Sequence, residues 1–161
     1  TSQQLEDIFT AKVTYWKQVG GPDENIVLVT RPKTSGTRAL FKEYALNKVE
    51  EAGNKSLETD DSGLLVQSVS QNPGAIGYVA LPYLLNNDKV ATVSINNVAP
   101  TLANTYSGTY KVWGYEHIYT GKNPKAAVTA FLKFVTGDQY AARIEALGYG
   151  ASSKMQTKEV H

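Results

Sequence analysis

The chain has 161 residues, of which 42% are hydrophobic and 19% charged. That is the size of about one domain with a sizeable core, and the composition excludes a disordered chain. Sixteen Lys and Arg against fifteen Asp and Glu leave a formal charge of +1, which excludes a general attraction to nucleic acid or anionic membrane but leaves room for a local basic site. No apolar run approaches the length of a bilayer span, and no signal-peptide core is visible. Because the chain opens on Thr1, we expect that a leader or a whole N-terminal region has been removed.

The first segment reads as a short helix. Thr1 and Gln4 have capping-box spacing, and Leu5, Ile8 and Phe9 share one face. Val13 to Gly21 leads into a Gly-Gly-Pro-Asp turn. Ile26 to Val29 is a continuous run of β-formers, as expected of a strand buried on both faces. After the loop RPKTSGT, an amphipathic helix is expected from Thr37 to Glu51, with Leu40, Tyr44, Ala45 and Val49 at helical spacing and Gly53 as the stop signal.

The TDDSG turn then precedes a helix carrying Leu64, Leu65, Val66 and Val69, closed by Asn72-Pro73-Gly74. Ala75 to Ala80 reads as a short strand in which Gly74 and Gly77 permit close backbone approach. Val90 to Ile95 alternates like a half-buried strand, NNVAPT is a turn, and Tyr110 to Tyr119 is aromatic-rich and extended. Asn123 and Pro124 have the order of a cap and a first helical residue, so a helix is expected there with Val128, Phe131, Leu132 and Val135 on its buried face. Gly137-Asp138 breaks it, and a last helix ends at Leu147 before Gly148. Strands alternating with helices predict an α/β domain over residues 1–152 with at least part of its sheet parallel. Residues 153–161 form a polar tail, expected to fray.

Val29 to Arg38 is the most informative segment for function. It leaves a buried strand and enters a helix, so the helix's first free N–H groups face outward beside the positive end of its dipole. Ser35 and Thr37 add hydroxyl donors, and Gly36 lets a bound oxyanion approach the backbone without meeting a Cβ. Arg31, just past the strand, can offer a bidentate contact to phosphate or carboxylate. The plainer alternative is an ordinary helix start with Ser35 or Thr34 as cap and both arginines in solvent.

Other chemistries find little support. Lys33 precedes Gly36, which is the reverse of a nucleotide P-loop. Ser35 is not in a Gly-x-Ser-x-Gly elbow, and only His117 and His161 could serve as a base. Two histidines make no convincing zinc site, and Asp60-Asp61 lacks a calcium-loop pattern. Cysteine is absent, which removes disulfides, thiolate ligands and a cysteine nucleophile. Asp60-Asp61-Ser62-Gly63 reads as a helix N-cap. His117 reads as a structural partner of Glu116 or a tyrosine. Trp16 and Trp113 read as core or interface residues, since no basic cluster accompanies them as a nucleic-acid platform would require.

Arg31 followed by Ser35-Gly36-Thr37 and Phe41 resembles the phosphate-binding loop of the PstS-type substrate-binding proteins of phosphate ABC transporters. Ile8 to Val13 with Trp16, Pro73 to Val79 and Asn97 to Thr101 agree in order, and Val112 to Thr120 is similar to the Gram-positive branch. The resemblance covers nearly the whole chain. It implies a type II periplasmic-binding-protein-like lobe with a mixed, mostly parallel sheet flanked by helices. In such a lobe Arg31 would pair with the phosphate charge, Ser35 would bond through its hydroxyl, Gly36 through its N–H and Thr37 through both. Arg38 lies outside the matched set and counts only as an electrostatic neighbour.

The resemblance further implies a non-enzymatic, cofactor-free protein outside the cell, anchored at its surface in the full-length form. It would hand inorganic phosphate to the membrane permease subunits of an ABC transporter. No counterpart of the family's first lobe precedes Thr1, so the chain is expected to be the second lobe plus the C-terminal segment. Weak phosphate binding follows from that half-site. So does a surface, left where the first lobe packs, through which the chain could dimerise. Sulfate or molybdate binding, a phosphatase-like hydrolase, and an adhesion or signalling module on the same fold are the alternatives.

Overall fold

The computed structural model describes residues 1–53 and 55–158; His161 lies outside them. Helix α1 (Ser2–Phe9) starts at Thr1, whose side chain accepts from the Gln4 N–H while Gln4 reaches back, completing the expected capping box. Leu5, Ile8 and Phe9 are all buried. Strand β1 (Val27–Thr30) follows, with Val29 and Thr30 fully inaccessible. Helix α2 (Gly36–Ala45) leads to strand β2 (Ser56–Glu58), and helix α3 (Ser62–Gln71) leads to strand β3 (Ala75–Gly77).

These strands form one sheet in the order β2-β1-β3, and both pairings are parallel. Antiparallel pairing among the described residues is limited to the isolated bridges Tyr15–Asn25 and Ile95–Val98. The central position of β1 explains its uninterrupted apolar run: both of its edges are paired and both faces are covered. Thr30 Oγ1 donates to Ser56 Oγ at 2.8 Å, tying β2 to its neighbour.

An aromatic trio lies at the centre of the core. The Phe41 ring stacks on Tyr78 with centroids 4.2 Å apart, and Phe9 meets Phe41 edge-on at 4.9 Å. Both geometries suit ring quadrupoles. Trp16 is a structural residue, as expected: its indole N–H donates to the Gly74 carbonyl at 2.8 Å and its ring packs on this cluster.

Several expected boundaries are displaced. Helix α2 stops at Ala45, well before Glu51, because Asn47 and Lys48 adopt left-handed φ values of 49° and 69°. Asn tolerates that conformation at a helix end. Val49 is therefore off the helix and exposed. The strand after Pro73-Gly74 covers only Ala75–Gly77. Val90 to Ser94 forms no strand, and Tyr110 to Tyr119 pairs with nothing in a ladder. Strand β2, helix α4 (Leu102–Tyr106) and the short 3-10 turns at Trp16–Val19, Leu81–Leu84 and Ser152–Lys154 escaped the sequence reading.

Helix α5 (Ala126–Val135) and helix α6 (Asp138–Ala146) follow, and a short 3-10 turn covers Ser152–Lys154. Lys125 keeps an extended ψ of 153°, so α5 begins two residues after Pro124 and lacks a side-chain cap. Its expected buried face is a correction. No α5 residue is buried, and Val128 and Phe131 are 39% and 59% exposed. The helix packs chiefly on α6, which cannot cover an apolar stripe that wide. Beyond α6, Tyr106 of α4 ties the last described residues down. Its hydroxyl donates to Glu145 Oε1 at 2.6 Å and accepts from the Ala151 N–H at 2.8 Å, and its carbonyl accepts from the Gln156 N–H at 2.9 Å.

Gly77 is required by packing. A Cβ there would sit 2.8 Å from the Val29 carbonyl oxygen and 3.0 Å from Leu65 Cδ2. Gly77→Ala is expected to destabilise the fold by about 1–3 kcal/mol. Urea unfolding should show a lower midpoint at an unchanged slope.

Candidate anion-binding site

The segment after β1 leaves the carboxyl edge of the sheet, where open α/β sheets place their ligand crevices. Ser35, not Thr34, caps α2, and its Oγ accepts from the Arg38 N–H at 3.3 Å. That bond uses the hydroxyl as an acceptor and leaves its proton to donate elsewhere. In the first turn the N–H groups of Gly36 and Thr37 have no acceptor within the helix. Gly36 is exposed, and a Cβ built on it would meet nothing within 4 Å. Packing therefore does not demand this glycine, which leaves the approach to its N–H open.

Both arginines are buried, which overturns the solvent-exposed alternative. The Arg31 side chain is 8% exposed. Its Nη1 donates to Ser62 Oγ at 2.7 Å, and its Nη2 donates to the Asp60 carbonyl at 2.6 Å. The Asp60 carboxylate lies 3.5 Å from Nη2. Asp61 caps α3 through the Leu64 N–H, as expected, but its neighbours Asp60 and Ser62 serve the arginine. Arg31 Nε is buried without a partner. A guanidinium held at both ends, with one donor unspent, is oriented rather than merely stored.

Arg38 is more than an electrostatic neighbour. Its Nη1 donates to the Arg31 carbonyl at 2.6 Å, and it faces Glu50, Glu51 and Glu58 at 3.5, 3.7 and 3.8 Å. Lys42 pairs closely with Glu50; that bond, ahead of the charge of Lys42 and Arg38, holds the Glu50 carboxyl below its ordinary value. Burial pushes Glu51 the other way, above it. Tyr78, whose hydroxyl accepts from the Arg31 N–H at 3.2 Å, is also raised, mainly by burial. Sequence reasoning missed Asp60, Ser62, Tyr78 and the three glutamates as parts of this arrangement, since none lies within the loop.

Arg31, Ser35, Gly36 and Thr37 all line one open cleft of about 1650 Å³, which continues past Tyr78 to Trp113. The cleft wall near the loop thus offers N–H, O–H and guanidinium donors, and the carboxylates of Asp60 and Glu116 also line the cleft. Donors of these types have the chemistry to hold a compact oxyanion. His117 lines the same cleft and is exposed, with its ring 6.3 Å from that of Tyr119. Among the described residues no cluster of three His, Cys, Asp or Glu could hold a metal ion. Among the described residues no helix is long and apolar enough to cross a membrane.

Comparison with known proteins places the chain among relatives. The chain is 39% identical over 138 residues to the phosphate-binding protein PstS of Bacillus subtilis, covering 86% of this chain and 45% of that one. Identity to the PstS of Borreliella burgdorferi is 30%, covering 92% and 57%. The chain thus spans about half the length of the curated relatives it matches. A phosphate-bound structure from Clostridium perfringens, assigned as a phosphate ABC transporter substrate-binding protein, superposes with a TM-score of 0.80 at 31% identity. It covers 90% of this chain and 59% of that one. Residues 1–139 match the family model described as a PBP superfamily domain, and with a parallel sheet flanked by helices and a cleft at its carboxyl edge, the chain belongs to that superfamily.

Proposed function

We propose that this chain is the phosphate-holding lobe, with the C-terminal segment, of a substrate-binding protein that serves a phosphate ABC importer. The observation that carries this reading is Arg31. It is buried, braced by Ser62 and Asp60 and left with one buried nitrogen unpartnered, and it lines the same cleft as the open N-terminus of α2. Arg31, Ser35, Gly36 and Thr37 are the proposed ligands of inorganic phosphate. The relatives are named as phosphate-binding proteins, which supports that ligand. Asp60 on the same rim favours an oxyanion that still carries a proton, and at neutral pH that description fits phosphate better than sulfate.

The role is capture outside the cell and delivery to membrane permease subunits, with no catalysis and no cofactor. The exposed apolar face of α5 supports a covering partner, either the first lobe of a longer protein or a second copy of the chain. With the cleft open on one side, the anion keeps water on one face, and water weakens charge-assisted bonds.

Amide NMR during titration with inorganic phosphate should show shifts confined to Gly36, Thr37 and Arg38. Arg31→Ala should abolish them, and sulfate should give smaller ones. Shifts elsewhere, or an Arg31→Ala protein that responds like the parent, would count against the site. Calorimetry on this chain should give a weak constant, on the order of millimolar; submicromolar binding would refute the one-sided site. Sedimentation at rising concentration should reveal self-association through the α5 face, relieved by Phe131→Lys. A monomer at every concentration would remove the dimer from the proposal.

A further inference from the structure

Arg31 is held through its backbone as well as its side chain. Its N–H donates to the Tyr78 hydroxyl, and its carbonyl accepts from Arg38 Nη1. Both partners turn toward one carboxylate. Arg38 Nε lies 3.7 Å from Glu51 Oε2, and the Tyr78 hydroxyl faces the same group. Glu51 reaches this position because α2 stops early and the chain reverses through Asn47 and Lys48. The Ala52 N–H then anchors the segment on the Phe9 carbonyl at 2.9 Å. Tyr78 is fixed in turn by its stack on Phe41.

The Glu51 side chain is 1% exposed, and neither of its oxygens has a hydrogen bond of standard geometry. Arg38 acts on it as a nearby charge, and the Tyr78 hydroxyl is a polar neighbour that favours its charged form. A carboxylate buried in that state is costly, and an unsatisfied buried group calls for an account. We propose that Glu51 is a positioning residue for the anion site: it holds Arg38 and Tyr78 in the orientations that fix both sides of the Arg31 backbone, and so the direction of Arg31 Nε. The inference rests on the anion-binding reading of residues 31–37 and adds to it a component outside the loop.

The groups around Glu51 are few. Helix α2 presents Arg38, with Lys42 engaged on Glu50; β2 presents Glu58; the segment after β3 presents Tyr78. On α1, Glu6 accepts from the Asn47 side chain at 3.0 Å. Burial raises the Glu51 carboxyl and the Glu50 and Glu58 charges add to the rise, while Tyr78 and Arg38 oppose it. The neutral form therefore becomes populated as pH falls through a value above the ordinary one, and the hold on Arg38 and Tyr78 is released there.

The test follows the Arg31 and Gly36 amides by NMR between about pH 4 and 8 without any anion. In the wild-type chain both should move together, with a midpoint above the ordinary carboxylate value. Glu51→Gln should erase that inflection, and Asp23→Asn, a remote surface change, should keep it. At about pH 7, Glu51→Gln should weaken inorganic phosphate binding roughly tenfold. A flat wild-type titration, an inflection that survives in Glu51→Gln, or phosphate binding by that variant within about twofold of wild type would each overturn the role. If Glu51→Gln fails to fold, the wild-type titration and Tyr78→Phe decide: the latter must blunt the Arg31 response. A wild-type chain that binds no phosphate would sink the phosphate reading alone, because the anion-free titration still judges Glu51.

Discussion

Two guanidinium groups buried beside one another at the end of β1 are the constraint on which the rest of the site depends. Isolated, each would be prohibitively expensive to take out of water. The chain answers the charge of Arg31 with a carbonyl, a hydroxyl and the Asp60 carboxylate at the start of α3. It answers Arg38 with another carbonyl and three glutamates from two further segments. Five pieces of chain, namely the end of β1, the start of α2, the reversal after α2, β2 and the β2–α3 turn, are thereby locked to one point. The network reads better as a source of orientation than of stability, since buried ion pairs often add little net free energy.

The division of labour between the arginines follows from their partners. Arg31 has its two terminal nitrogens occupied by neutral oxygens at short range and its acidic partner farther off. Much of its positive charge therefore remains available at the cleft. Arg38 is nearly surrounded by carboxylates, so its charge is spent internally and its geometric work is the bond to the Arg31 carbonyl. Of the two, only Arg31 lines the cleft.

Much of this was legible in the sequence where a single local rule sufficed. The capping box at Thr1, the buried run of β1, the Ser35 cap and the Asp61 cap each depend on residues within four positions of one another. What could not be read locally was the partnership of Arg31 with Asp60 and Ser62, almost thirty residues away, or the return of Glu51 beneath α2. The same limit explains the error over α5. Its 3.6-residue apolar stripe is real, but periodicity reports which face seeks cover, not whether cover is present. Likewise Val90 to Ile95 alternates as a strand should, yet a strand exists only where a neighbour offers a ladder, and only Ile95 finds one, in Val98.

The order already present in the anion loop bears on how the site works. Arg31 is fixed on both sides of its backbone and at both terminal nitrogens, and Ser35 is committed as a cap. Little conformational freedom is left for a ligand to remove, so ordering the donors is not the main cost of binding. The remaining cost is stripping water from a small, strongly hydrated anion, and an open cleft edge does that incompletely. On the proposed reading of the loop, water exclusion rather than donor placement would limit affinity. A surface closing over the loop would strengthen every existing contact without adding one.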